Sequence, residues 1–335
     1  MDEKEMTMEK SKKILVTRNF PENGLNLLEE QGFELLQWDQ ERPMTQSELI
    51  HRAKECHGML CTLTDLIDDH FLNQCRHLEV ISQYAVGYDN IDIHGATLAG
   101  IPIGFTPDAM SEATADIAFG LMIATSRKMF YLHKSILKGE WGFFRPKGHL
   151  GMELKNRTLG IFGLGRIGMK MAQRCKGAYG MDILYCSRTR SWEAEKELSA
   201  RFVSFDELLK NSDILSVHSV LNDDTRGIFD KQAFEKMKKS AIFINTARGP
   251  VHNEPDLLHA LETGEIRGAG LDVTDPEPMD KNNPLLTMEN VSVLPHIGSG
   301  TQEARNEMSM LAARNIIAFY QTGKMPHCVN PEVLG

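Results

Sequence analysis

At 335 residues the chain is longer than one domain of common size and fits two. Its composition, 41% apolar and 25% charged, is that of a globular protein and excludes a disordered or fibrous one. A formal net charge of -9 repels polyphosphate and anionic lipid, so no nucleic acid and no membrane is expected as a partner.

Met1–Lys13 is a charged run without an apolar centre, which reads as a frayed tail rather than a secretory signal. Short apolar runs then alternate with helical patterns, the mark of an α/β protein with mainly parallel sheets. In the first third the predicted strands are Ile14–Thr17, Phe33–Gln37, Met59–Cys61, Glu79–Ser82 and Pro102–Phe105. Thr45 and Glu48 form a capping-box pattern at a helix start between them. A longer helix, apolar over much of its surface, is predicted over Ala113–Phe130. A second series follows, with strands at Thr158–Phe162, Asp182–Cys186, Ile214–His218, Ala241–Asn245, Ala269–Val273 and Val291–Leu294. Ser204 and Glu207 make a second capping box; Pro255 and Gly264 suit the first turn and the end of a helix. The last predicted helix, Glu303–Tyr320, has no strand of its own to serve, so it is assigned back to the first domain. The expected domains are therefore a discontinuous one, 1–110 with 301–335, and a continuous one, 111–300. Six cysteines without CxxC spacing read as reduced thiols of a cytoplasmic protein, and no metal-binding motif is present.

Gly163-Leu164-Gly165-Arg166-Ile167-Gly168 is the one GxGxxG of the chain. A predicted strand precedes it, and Ile167, Met171 and Cys175 follow at helical spacing, giving the βαβ setting of a dinucleotide loop. Glycine lets the backbone turn tightly against a pyrophosphate, and the helix N-terminus offers unpaired amides to it. An NAD enzyme usually carries Asp or Glu roughly 20 residues further on, for the ribose hydroxyl. Here that place holds Ser187, Arg188, Thr189 and Arg190, which would attract a 2′-phosphate. NADP(H) is therefore expected in preference to NAD(H), with NAD(H) as the second cofactor.

Polar residues also follow three later strands: Asn245 to Gly249, Asp272 to Pro278, and Pro295 to Ser299. With Val86 to Asp92, Thr114 to Asp116 and the glycine loop, these motifs resemble the D-isomer-specific 2-hydroxyacid dehydrogenases, most closely glyoxylate/hydroxypyruvate reductases. The likeness runs from Ile14 to about Gly323. It implies a doubly wound Rossmann dinucleotide-binding domain and a discontinuous flavodoxin-like substrate-binding domain. It further implies a catalytic set of Arg248, Glu277 and His296, which the chemistry suits. Arginine's planar fork can hold both carboxylate and carbonyl of a 2-keto acid. Histidine, with an ordinary pKa of about 6.5, can deliver the proton that follows hydride, and a neighbouring carboxylate favours its charged form.

By the same resemblance, the amides of Val86 and Gly87 receive the substrate carboxylate, and the loop at Leu63 and Thr64 closes over it. Thr246 and Asp272 belong at the nicotinamide, Ala247 and Val220 flank the dinucleotide, and Gly298 and Ser299 line the substrate site. The expected reaction is reduction of glyoxylate, hydroxypyruvate or both to the D-2-hydroxy acid (glycolate, D-glycerate) by hydride transfer from NADPH. A reductase of another 2-keto acid such as 2-ketogluconate, or a non-catalytic dinucleotide sensor on the same fold, stays open. Three departures stand out. Val251-His252-Asn253-Glu254 replaces the Val-Val-Asp-Glu of many relatives, Val220 stands for a proline, and Phe144 for a tryptophan supplied by a partner subunit. The segment from Trp141 to His149 is accordingly the expected contact of a homodimer.

Overall fold

The computed structural model describes residues 11–335, so the expected tail up to Lys10 lies outside the described residues, while Lys13 opens the first strand. The chain divides into two compact units, one running to Met110 and resuming over Thr301–Gly335, the other Ser111–Gly300. The strands of the first unit are β1 (Lys13–Val16), β2 (Glu34–Gln37), β3 (Gly58–Cys61), β4 (Val80–Gln83) and β5 (Ile103–Gly104). Those of the second are β6 (Thr158–Phe162), β7 (Asp182–Cys186), β8 (Arg201–Phe202), β9 (Ile214–Val217), β10 (Ile242–Asn245), β11 (Gly268–Leu271) and β12 (Val291–Val293).

The first unit is a parallel sheet in the order β2-β1-β3-β4-β5, the flavodoxin-like winding. Its strands are apolar on both faces because helices cover both. On one face Leu15, Met59 and Ile81 pack with Leu49, Phe71 and Leu72. On the other, Ile14, Val16, Leu60 and Val80 meet Leu25 and Leu28 of the helix Glu22–Glu30 and Ala312 and Ile316 of the helix Gln302–Thr322. Buried Ser82 donates to the carbonyl of Ala312 at 2.9 Å, and Ser309 to that of Pro21 at 2.8 Å, fixing the returning helix in place.

The second unit is a seven-stranded parallel sheet ordered β12-β11-β10-β9-β6-β7-β8. From β6 the chain winds outward through β7 and β8, then returns to pair β9 on the other side of β6, the reversal at which Rossmann sheets open a binding crevice. Both capping boxes form, Thr45 with Glu48 and Ser204 with Glu207. Two features depart from the sequence expectation. The exposed two-residue edge strand β8 is too short to leave a periodic pattern. The long helix spans Ser111–Ser126 and then breaks, because Ser126 donates back to the carbonyl of Ile123 and Lys128 adopts φ 55°. A separate helix, Met129–Leu137, buries none of its residues within the chain. The six cysteines are unbridged, and no helix among the described residues is long and apolar enough to cross a membrane.

Candidate active site

Strands β10, β11 and β12 are neighbours in register, with Asn245 opposite Leu271 and Leu271 opposite Val293. Adjacent parallel strands lie about 4.8 Å apart, so the segments leaving their carboxyl ends share one stretch of the sheet edge. These segments carry Arg248, then Asp272 and Glu277, then His296. Backbone bonds lace them together: Asp272 N–H donates to Asn245 O at 2.9 Å and His296 N–H to Asp272 O at 2.8 Å. A Cβ on Gly249 would lie 1.9 Å from Thr274 O, so only glycine lets the first segment pass this close to the second.

His296 is half-buried and adopts φ 52°, a left-handed conformation costly for a side chain with a Cβ and characteristic of over-determined functional sites. Its Nδ1 lies 2.5 Å from Glu277 Oε1. The carboxylate accepts there, so Nδ1 carries the hydrogen. Asp272 is buried, and burial raises its carboxyl above the usual range. One oxygen accepts from Ile297 N–H at 2.8 Å; the other, Oδ2, is buried next to Gly298 without a hydrogen-bond partner among the described residues. Thr246 and Ala247 are buried beside Asn245, and Ser299 is half-buried after Gly298.

The turn that carries Arg248 hangs on a residue the sequence reading passed over. Asn245 is fully buried; its Oδ1 accepts from Ala247 N–H at 2.9 Å and its Nδ2 donates to Arg248 O at 2.8 Å. Arg248 itself is half-buried, its Nη1 donating to Ala247 O at 2.7 Å. Glu254, also buried, accepts from Asp275 N–H at 3.1 Å and from Asn283 at 2.7 Å, steadying the segment that bears Glu277. A fully polar asparagine closing an apolar strand was the available signal.

The glycine loop sits at the end of β6. Gly163 has φ 89°, and a Cβ there would lie 2.6 Å from Ser219 N; the same probe on Gly165 meets nothing. The helix Arg166–Tyr179 starts on Gly165 without a side-chain cap, whereas the next helix is capped by Ser191. A helix start without a side-chain cap is a common receiver of an outside anion. Gly168 packs against Gly163 O, Ile167 is half-buried, and exposed Val220 stands three residues beyond β9. An uncapped helix start beside β6 and an orphaned carboxylate oxygen beside β11, three strand intervals or roughly 14 Å away, together fit a dinucleotide.

Beyond β7, Ser187 donates to Thr189 O at 2.9 Å, forming a small turn. Arg188 is exposed and makes no ion pair among the described residues. Arg190 differs: it forms a two-pronged pair with Glu195, both contacts at 2.7 Å, and lies 4.0 Å over the ring of Trp192. The two arginines grouped by sequence are therefore unequal.

Leu63, Thr64, Val86 and Gly87 belong to the other unit, where the structure brings them together. Gln83 donates to Gly87 O and to Asn90, and Asn90 donates to Thr62 O and Asp65 O, so the two loops share one buried net. Arg18 braces the first loop by donating to Thr64 at 2.6 Å and pairing with Asp65 at 3.1 Å. The N–H groups of Val86 and Gly87 donate to no partner among the described residues. Trp141, Phe143 and Phe144 are exposed, at 77%, 74% and 86%, a concentration of aromatic surface unusual for a soluble face.

Comparison with known proteins gives the family. Residues 119–298 match the family model of the D-isomer specific 2-hydroxyacid dehydrogenase, NAD binding domain. The chain is 43% identical over 326 residues to a glyoxylate reductase of Pyrococcus furiosus, covering 96% of each protein. Among solved structures, a glyoxylate reductase from Paecilomyes thermophila superposes with a TM-score of 0.85 at 32% identity, covering 97% of this chain and 99% of that one. An NADPH-dependent glyoxylate/hydroxypyruvate reductase of Sinorhizobium meliloti, in complex with NADP and malonate, gives 0.84 at 29% identity, covering 96% and 98%.

Proposed function

The chain belongs to the D-isomer specific 2-hydroxyacid dehydrogenase family, and from that premise we propose that it reduces glyoxylate, and with it hydroxypyruvate, using NADPH. The observation that carries this reading is the 2.5 Å pair of His296 with Glu277, one strand end removed from the Asp272 orphan oxygen and two from Arg248.

Arg248 grips the carboxylate of the 2-keto acid and orients its carbonyl. His296, its Nδ1 hydrogen committed to Glu277, presents Nε2 to the carbonyl oxygen and delivers the proton. Glu277 holds the ring in that tautomer and offsets its charge. The reduced nicotinamide, when bound, supplies the hydride to the 2-carbon. Asp272 Oδ2 would accept from the carboxamide, and the helix start at Arg166 and Ile167 would receive the pyrophosphate, while Gly165 N–H is given to Gly163 O at 3.0 Å. Thr246, Ala247 and Val220 wall the dinucleotide, and Gly298 and Ser299 wall the substrate. In the other unit, the amides of Val86 and Gly87, which donate to no partner among the described residues, are the proposed anion receivers, under the Leu63 loop.

NADPH is preferred on this reading because Arg188, without an ion pair among the described residues, stands where a carboxylate would repel a 2′-phosphate. The aromatic surface at Trp141, Phe143 and Phe144 is assigned to a second copy of the chain in a homodimer, and the unbridged cysteines suit a cytoplasmic setting. The test is a panel of initial rates with glyoxylate, hydroxypyruvate and 2-ketogluconate, each with NADPH and with NADH. Glyoxylate with NADPH should give the highest kcat/KM. Failure of every keto acid to oxidise either cofactor would return the chain to a non-catalytic role.

A further inference from the structure

We propose that His252 is a positioning residue for the Arg248 turn, its Nδ1 serving as the acceptor that locks the Asn245 side chain. This rests on the reading that Arg248 grips the substrate carboxylate. His252 is buried, and its Nδ1 lies 3.0 Å from Asn245 Nδ2. The direction of that bond follows from the backbone. Ala247 N–H can only donate, so the Asn245 atom that meets it is the oxygen; Arg248 O can only accept, so the atom that meets it is the amide nitrogen. The second hydrogen of that nitrogen points at His252, whose Nδ1 must therefore be bare.

The rest of the imidazole agrees. With Nδ1 bare, the ring hydrogen sits on Nε2, and Nε2 is buried without a partner among the described residues. An unmatched buried donor is unfavourable, and the valine of many relatives would avoid it. What the imidazole adds over an aliphatic side chain is the lone pair on Nδ1. The ring is held edge-on to Phe243 at 5.7 Å, and its backbone bridges Phe229, so neither ring nor chain is free to turn away. Burial pushes His252 down to about 4, which keeps Nδ1 an acceptor through neutral pH. Without that acceptor, the asparagine amide loses one of the three bonds that hold it, and Arg248 loses its fixed origin.

Three variants test this, assayed for glyoxylate reduction with NADPH alongside thermal melting and NADPH titration. His252→Val should raise the KM for glyoxylate about five- to twentyfold, the effect of one buried hydrogen bond, with kcat and NADPH affinity within about twofold. His252→Gln, which offers an oxygen acceptor, should recover most of the lost KM and covers the case of a poorly folded valine variant. An unchanged KM in both variants, or a lowered melting temperature with an unchanged KM, overturns the proposal. Arg248→Gln separates the two readings. If it keeps the parent KM, the role of Arg248 itself falls; if it is crippled while His252→Val is normal, only the role of His252 falls.

Discussion

At the β6–β7 end of the seven-stranded sheet the helix start and Arg188 carry no side-chain partner among the described residues, whereas at the β10–β12 end the segments bearing Arg248, Glu277 and His296 are tied down, with Asp272 Oδ2 and His252 Nε2 as the exceptions. The helix start on Gly165 has no cap, Gly165 faces open space, and Arg188 has no ion-pair partner among the described residues. Across the sheet, Asn245 makes three hydrogen bonds at one turn, Glu254 steadies the next segment, and His296 is held at φ 52° against Glu277. The difference matches two tasks. Holding a large anion needs available donors, and a ligand can settle among them. Transferring a proton needs an atom fixed to within a fraction of an ångström, and only surrounding bonds supply that.

The comparison can be broken most forcefully at the rigid end. His296→Ala should lower kcat by on the order of 10²- to 10⁴-fold, the usual share of a general acid, while NADPH titration stays close to the parent curve. A variant that binds NADPH poorly yet turns over normally would reverse the division of labour between the two ends. At the open end a smaller and more selective effect is expected. Arg188→Asp should raise the KM for NADPH about tenfold or more and leave NADH nearly untouched, because one charge-assisted bond to phosphate is lost. Arg190→Ala should do less, since Glu195 and Trp192 already occupy that guanidinium. Larger losses from Arg190 than from Arg188 would mean that the ion pair opens for the ligand.

The smallest effect concerns stability. His252 takes up a proton only near pH 4 when folded, against about 6.5 for an ordinary histidine. Between those values the unfolded chain binds the proton and the native one does not. The contribution is therefore intact above about pH 6.5 and lost as pH falls, by about 1.4 kcal/mol per unit. Melting temperature should drop by a few degrees between pH 7 and pH 5, and less steeply in His252→Val. Parallel slopes in the two proteins would remove His252 as the cause.

Much of the architecture was readable from sequence because parallel strands covered on both faces appear as short apolar runs, and because capping boxes are local chemistry. The two-residue strand β8 and the break at Lys128 were not, since each depends on one or two residues with no period. The glycine loop declares itself within six positions. Arg248, Glu277 and His296, by contrast, are scattered over nearly fifty, and only family resemblance grouped them; register across β10, β11 and β12 is what makes them neighbours. The Asn245–His252 brace and the Arg190–Glu195 pair were missed for the same reason: their partners are chosen by folding, not by spacing.

The returning helix Gln302–Thr322 sets an order of events during synthesis. One face of the first sheet, with Ile14, Val16, Leu60 and Val80, waits for Ala312 and Ile316 to cover it. More than two hundred residues separate Val80 from that helix, and at roughly 5–20 residues per second this leaves the face covered only by Leu25 and Leu28 of the helix Glu22–Glu30 for on the order of ten to forty seconds. The intervening unit, continuous in sequence, can finish first, so the nascent chain carries one completed unit and one whose sheet face stays partly open until the helix Gln302–Thr322 emerges.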